Sequence, residues 1–150
     1  MNEFPDSFDP KIFSSYLLGF GHAGWLGLSY HDHGENWFEL ELPWREDLVG
    51  DPDLPVLASG PIISLLDMAS GMSIWIASRR FVPVATLDLR VDYQRPARDH
   101  TPVIGHAECY RLTRSAAFVR GIAHDGDPAD PVANMAAVFM TIEPRKDVKS

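Results

Sequence analysis

The spacing of apolar positions changes along this chain, and each change marks an element. Over residues 56–78, VLASGPIISLLDMASGMSIWIAS, apolar side chains are so dense that only a narrow polar stripe escapes: Ser64, Asp67, Ser70 and Gly71, three or four apart. Such a segment predicts a helix over about residues 60–78 that is buried rather than lying on the surface. Ser59 or Gly60 can serve as N-cap, and Pro61 suits the first turn, where its missing N–H has no intrahelical partner to lose. The pattern fades at Ser78, where Arg79 and Arg80 complement the C-terminal dipole. Over residues 86–93 the period becomes two: Leu87, Leu89, Val91 and Tyr93 alternate with Asp88, Arg90 and Asp92, predicting a half-buried strand.

Upstream, Asp9 can cap a short helix that has Pro10 in its first turn, runs to about residue 18 and meets Gly19 and Gly21 near its end. A strand over 24–31, a turn over 32–35 and a strand over 36–42, with Phe38, Leu40 and Leu42 alternating against Trp37, Glu39 and Glu41, predict a hairpin. Residues 45–55 form a loop rich in proline and acid. Past the break at residues 95–99, strands are expected over 103–113 and 116–124, joined by a tight turn at Arg114 and Ser115. A polar insert follows at 125–130, then a last strand at 131–142. Residues 1–8 and 144–150 are expected to be a flexible lead and tail.

A buried helix followed by strands on short turns is an α+β arrangement with an antiparallel sheet, not an alternating parallel one. A sheet of about six strands covers only part of a helix that is apolar nearly all round. A second protomer is the economical cover for the remainder.

At 150 residues and 45% hydrophobic, the chain suits one domain over 1–150 with a sizeable core. A net charge of −8 argues against nucleic acid as a partner and offers nothing to an anionic membrane. The long apolar run is shorter than the usual span of about 20 residues and is broken by Asp67, so a membrane helix is not expected. From an acidic, proline-containing start, a secretory signal is not expected. With Cys109 alone, no intrachain disulfide or thiolate zinc site can form, which points to a reducing cytoplasm. His31 and His33 at a hairpin turn lack a third ligand, and no metal site is expected there.

The residue that demands an explanation is Asp67. A lone carboxylate in so apolar a helix must be paired, hydrogen-bonded or neutralised. It is either a structural group bonded to Ser64, Ser70 or backbone, or a functional one.

The spacing Ser59-Gly60, Asp67, Gly71, the strand TLDLRVDY that begins at Thr86, and the Arg95-Pro96-Ala97 that ends it resemble the hotdog-fold acyl-CoA thioesterases, in their phenylacetate-pathway, PaaI-like branch. The resemblance covers roughly residues 20–142. It implies a curved antiparallel sheet around one central helix and hydrolysis of an aryl- or medium-chain acyl-CoA. Coenzyme A would be part of the substrate, and no separate cofactor is implied. It also implies a homodimer or a dimer of dimers, with each site at an interface. Carried over residue by residue, it makes Asp67 the general base or nucleophile and Thr86 the hydroxyl that helps hold the attacking water. Ser59 and Gly60 would be the backbone N–H donors to the thioester oxygen. Substrate contacts are implied for Ser64 and Ser70 and for Trp75 beside the acyl group, while Arg95, Arg98 and Arg114 would be cations for the coenzyme A phosphates. Ala58 stands where that family has histidine, Ser59 replaces its first glycine, and its upstream asparagine has no clear counterpart among residues 51–53. Those departures leave a non-catalytic acyl-CoA or aromatic-ligand binding protein as the alternative.

Overall fold

The computed structural model of the chain describes residues 3–142; the expected tail at 144–150 and the first two residues of the lead lie outside them. In order, the elements are α1 (Pro10–Leu17), α2 (Gly21–Leu26), β1 (Ser29–His33), β2 (Trp37–Leu42), β3 (Val49–Asp51), β4 (Leu54–Leu57), α3 (Ser59–Ser78), β5 (Val84–Tyr93), β6 (Val103–Leu112), β7 (Ala116–His124) and β8 (Ala133–Thr141). Six strands form one sheet in the order β1-β2-β6-β7-β8-β5, with every neighbouring pair antiparallel. Strands β3 and β4 pair separately. This is the α+β hotdog architecture expected from the sequence.

Alternation fixes which face of the sheet meets the helix. On β2, Phe38, Leu40 and Leu42 are buried and the residues between them are not. Residues Ile62, Leu65, Leu66, Ala69 and Met72 of α3 pack onto that face, together with Val103 and Ala107 of β6. Gly105 sets the closeness of this packing: a Cβ there would stand 2.7 Å from Leu65 Cγ, so only glycine lets the helix sit this near β6. By length and composition α3 could cross a membrane, but against this sheet it is a core helix. One side of it stays uncovered. Gly60 is exposed, Ile63 is 40% exposed and Asp67 is only partly buried, so the enclosure expected all round is incomplete in a single chain.

Several expectations are corrected. Residues 21–26 are a helix, not the start of a strand, and β1 begins only at Ser29. Glycine spacing explains this: Gly27 ends α2 at φ 74°, and Gly24 lies so close to Gly19 that a Cβ would be 2.9 Å from the Gly19 carbonyl carbon. Within 45–55 there is a 3-10 turn, Glu46–Leu48, and the β3–β4 hairpin. The N-cap of α3 is Ala58, in extended conformation, rather than Ser59 or Gly60, and Pro61, the third helical residue, lies in the first turn as expected. Residues 3–8 are docked rather than loose: the Phe4 and Phe8 rings stack at 3.8 Å, both meet Phe81, and Phe4 N donates to Arg79 O at 3.0 Å. On β5 a bulge between Thr86 and Asp88 turns Leu87 outward, 60% exposed, because β5 is an edge strand with no neighbour to hold the alternation.

Candidate functional site

Gly60, Ser64, Asp67 and Gly71 follow one another along the open side of α3. Asp67 finds its partner across the helix edge: Thr86 Oγ1 donates to Asp67 Oδ1 at 2.7 Å. The bulge that follows Thr86 on β5 lies beside this pair. Sequence reasoning joined these two residues, and the fold brings them into contact.

At the front of α3, Ala58 offers no side-chain cap, and among the described residues no acceptor takes the N–H groups of Ser59 and Gly60. Pro61 has no N–H to offer. Two donors therefore carry the positive end of a 20-residue helix. A Cβ built on Gly60 would meet nothing within 4 Å, so the space before these donors is open. Tyr93 Oη donates to Ser59 O at 2.9 Å and ties the first turn to the end of β5. The Tyr93 phenol is a donor at neutral pH, and burial pushes it further above its usual value.

Two clefts flank the helix start. One, of about 390 Å³, is lined by His22, Trp25, Leu48, Ala58, Gly60 and Ser64. The other, of about 350 Å³, is lined by Ser59, Ile62, Tyr93, Gln94, Arg95 and Ala97. In the first, His22 Nε2 stands 3.1 Å from Ser64 Oγ. Neither His22 nor Tyr93 was picked out from the sequence. His22 lies 42 residues from Ser64, and no local pattern could have joined them.

Other candidates fall elsewhere. Ser70 is fully buried, with its hydroxyl on Leu66 O at 2.7 Å, so it cannot meet a substrate. Trp75 belongs to the core beyond the far half of α3: its Nε1 donates to Val82 O at 2.6 Å and its ring packs with Phe13 and Phe81. Arg114 borders a cleft at the opposite end of the helix, beside Arg80 and Thr141. Arg95 is not a free cation, because its Nη2 and Nη1 donate to the two oxygens of Asp125 at 2.7 and 2.9 Å and its Nε faces Asp130 at 3.1 Å. The Asp125 side chain is wholly buried and also accepts from Arg98 N at 2.8 Å. Arg95 holds the Asp125 carboxyl well below the usual range, at about 2. The pair raises the Arg95 pKa in turn. Arg98 is exposed and follows Ala97, which lines the second cleft. Cys109 is buried, which pushes its thiol up to about 11 and leaves it unreactive.

In length the site is split. Gly60 and Asp67 are seven residues apart on one helix, a rise of about 10 Å. The donors and the carboxylate of one chain thus cannot meet on one reacting carbonyl.

Comparison with known proteins gives the family. The family described as the thioesterase superfamily matches residues 56–132, which hold the helix, Asp67, Thr86 and β5 to β7. A curated Halobacterium salinarum protein named for an inferred esterase activity is 33% identical over 90 residues, 58% of this chain and 60% of that protein, so the match spans less than two thirds of that relative's length. A solved Pseudomonas aeruginosa protein is 37% identical, with a TM-score of 0.76 over 89% of this chain and 96% of its own. A Haemophilus influenzae thioesterase shares the fold at a TM-score of 0.82, covering 95% of this chain and 96% of its own, although only 17% of residues are identical. With the family's pattern spanning half of the chain, on the elements that build the split site, this chain belongs to the thioesterase superfamily.

Proposed function

We propose that the protein hydrolyses an acyl-CoA thioester, with Asp67 as general base or nucleophile and the Ser59 and Gly60 N–H groups polarising the thioester carbonyl. The observation that carries this reading is the 2.7 Å hydrogen bond that holds Asp67 on the open side of α3. A buried structural carboxylate would instead have its oxygens spent on core donors. Superfamily membership supports the same chemistry.

In the general-base route, Asp67 takes a proton from water as the water oxygen bonds to the carbonyl carbon. The resulting oxyanion is met by the helix N–H groups, which suit developing negative charge. The C–S bond then breaks, the sulfur leaves as coenzyme A thiol and the acyl group leaves as carboxylate. In the nucleophilic route, an Asp67 oxygen bonds to the carbonyl carbon as the C–S bond breaks, and the coenzyme A thiolate leaves and takes a proton from solvent; water then opens the mixed anhydride, releasing the acyl group as carboxylate and restoring Asp67. Thr86 orients the carboxylate in both.

The rise of about 10 Å between donors and carboxylate supports a homodimer, or a dimer of dimers, in which one protomer supplies the helix front and its partner supplies Asp67. The unpaired edge of β5 and the outward Leu87 favour self-association on that side. The apolar walls given by Trp25, Leu48 and Ile62 suit an aryl or medium-chain acyl group, and Arg98 suits a phosphate of the coenzyme.

Asp67→Asn tests the proposal. Thiol release from a panel of acyl-CoAs should fall on the order of 10²–10⁴-fold, with the melting temperature kept within a few degrees. Unchanged turnover in this variant sinks the assignment of Asp67. A wild-type protein that binds acyl-CoA tightly and releases no thiol is instead a binding protein, the alternative that the apolar Ala58 cap favours.

A further inference from the structure

Of the serines past the first turn of α3, three spend their hydroxyls on their own helix. Ser70 donates to Leu66 O at 2.7 Å, Ser73 to Ser70 O at 2.8 Å and Ser78 to Trp75 O at 3.2 Å. Ser64 does otherwise. Its hydroxyl leans out to His22 Nε2 at 3.1 Å, and both side chains line the 390 Å³ cleft at the helix front. Back-bonding to a carbonyl is the ordinary resting place of a helical serine, so its absence here needs a cause.

The element that presents His22 is fastened from below. Arg45 Nη1 donates to Trp25 O at 2.7 Å, and its guanidinium lies 5.6 Å from the centre of the Trp25 ring. Asp47 fixes the same guanidinium with two bonds of 2.9 Å. Gly27 brings α2 against Pro43, whose Cγ would stand 3.2 Å from a Cβ there. An exposed histidine on a short helix would ordinarily be free to turn. This one sits on a braced platform, and its partner Ser64 lies within one helical turn of Gly60 on one side and of Asp67 on the other, four residues past the first and three before the second.

We propose that His22 and Ser64 are a substrate-positioning pair of the thioesterase site, holding the amide-bearing arm that carries the thioester. This rests on the hydrolase reading above. In the tautomer that carries its hydrogen on Nε2, His22 donates to Ser64 Oγ, which leaves the hydroxyl hydrogen to donate to an amide carbonyl of the arm. Ser64 is the group that touches substrate, and His22 acts through it by fixing the direction of donation. The pair supplies polar side chains at the helix front, where Ala58 supplies none. Its part is to hold the substrate while Asp67 and the N–H groups act on the carbonyl.

The test uses the full chain and two substrates with the same acyl group, its coenzyme A thioester and its ethyl thioester, which has no amide. His22→Ala and Ser64→Ala should each lower kcat/KM for the coenzyme A thioester about tenfold, mainly through KM, the loss of one hydrogen bond to substrate. The double variant should lose little more than either single one, since the two residues form one device. Turnover of the ethyl thioester should fall by a clearly smaller factor than that of the coenzyme A thioester in all three. His22→Gln, whose amide nitrogen can reach the same oxygen, should recover most of the loss. Equal losses on both thioesters, additive losses in the double variant, or no loss overturn the pairing. If the wild-type protein releases no thiol, the hydrolase reading has failed on its own. The pair is then judged by calorimetric binding of an S-alkyl coenzyme A thioether, where His22→Ala and Ser64→Ala should each raise Kd about tenfold, and an unchanged Kd overturns the proposal.

Discussion

Replacing Asp125 with Asn separates two readings of Arg95, a cation kept for substrate phosphates or a strut inside the fold. Asp125 has a wholly buried side chain and accepts three hydrogen bonds, two from the Arg95 guanidinium and one from Arg98 N. Asparagine keeps the size but loses the charge, and it points an NH2 group at donors. Breaking a buried pair from one side costs about 3–5 kcal/mol. Asp130 lies 3.1 Å from Arg95 Nε, and the Arg95 side chain is 24% exposed, so part of the stranded charge is relieved. A separate route gives a similar size: the drop of the Asp125 carboxyl from 3.8 to about 2 is worth about 2 kcal/mol through linkage. The expected loss is therefore about 2–4 kcal/mol at pH 7, read by urea unfolding. Because the folded pKa is depressed, this stability is fully present above about pH 4 and is lost as pH falls through about 2. The gap between wild type and variant should close over that window. A loss below 1 kcal/mol at pH 7, or a gap of the same size at pH 2 as at pH 7, refutes the strut.

Two further substitutions probe the site and its frame. Thr86→Val keeps the shape of the side chain and removes the donor to Asp67, so kcat should fall about ten- to a hundredfold with stability within about 1 kcal/mol of wild type; equal kcat in stopped-flow thiol release would free Asp67 from Thr86. Gly105→Ala would press a methyl group to 2.7 Å from Leu65 Cγ and should cost about 1–3 kcal/mol in urea unfolding; a neutral result would mean that α3 can lift from β6 without penalty.

The frame was legible in the sequence because its signals are local. The dense apolar run of α3, the Asp9 cap of α1, which accepts from Lys11 N at 2.8 Å, and the alternation on β2 each announce themselves within a few residues. Glycine misled at α2: Gly21 reads as the end of α1 and a strand reads through Gly24 and Gly27, and only the fold shows the three closing a short helix against the end of α1. Leu87 broke its own alternation because an edge strand can bulge at small cost. The site was legible where one motif spans it, as with Asp67 and Thr86. It was illegible where partners lie far apart in sequence. Arg95 looked like a free cation because Asp125 is 30 residues away, and His22 carried no signal because Ser64 is 42 away. Ser70 and Trp75 were placed by their position along α3, and the side of the helix on which each falls decided against them.

The rise along α3 also bears on when the chain becomes active. A newly made protomer holds both parts of the machinery about 10 Å apart on one rigid rod, where they cannot act on the same carbonyl. On the proposed reading, hydrolysis then waits on the meeting of two chains. Under dilution the rate should follow the square of chain concentration until pairing saturates, and below that level the acyl-CoA pool is left untouched by mass action alone. On that reading the length of a helix would do the work of a regulatory domain.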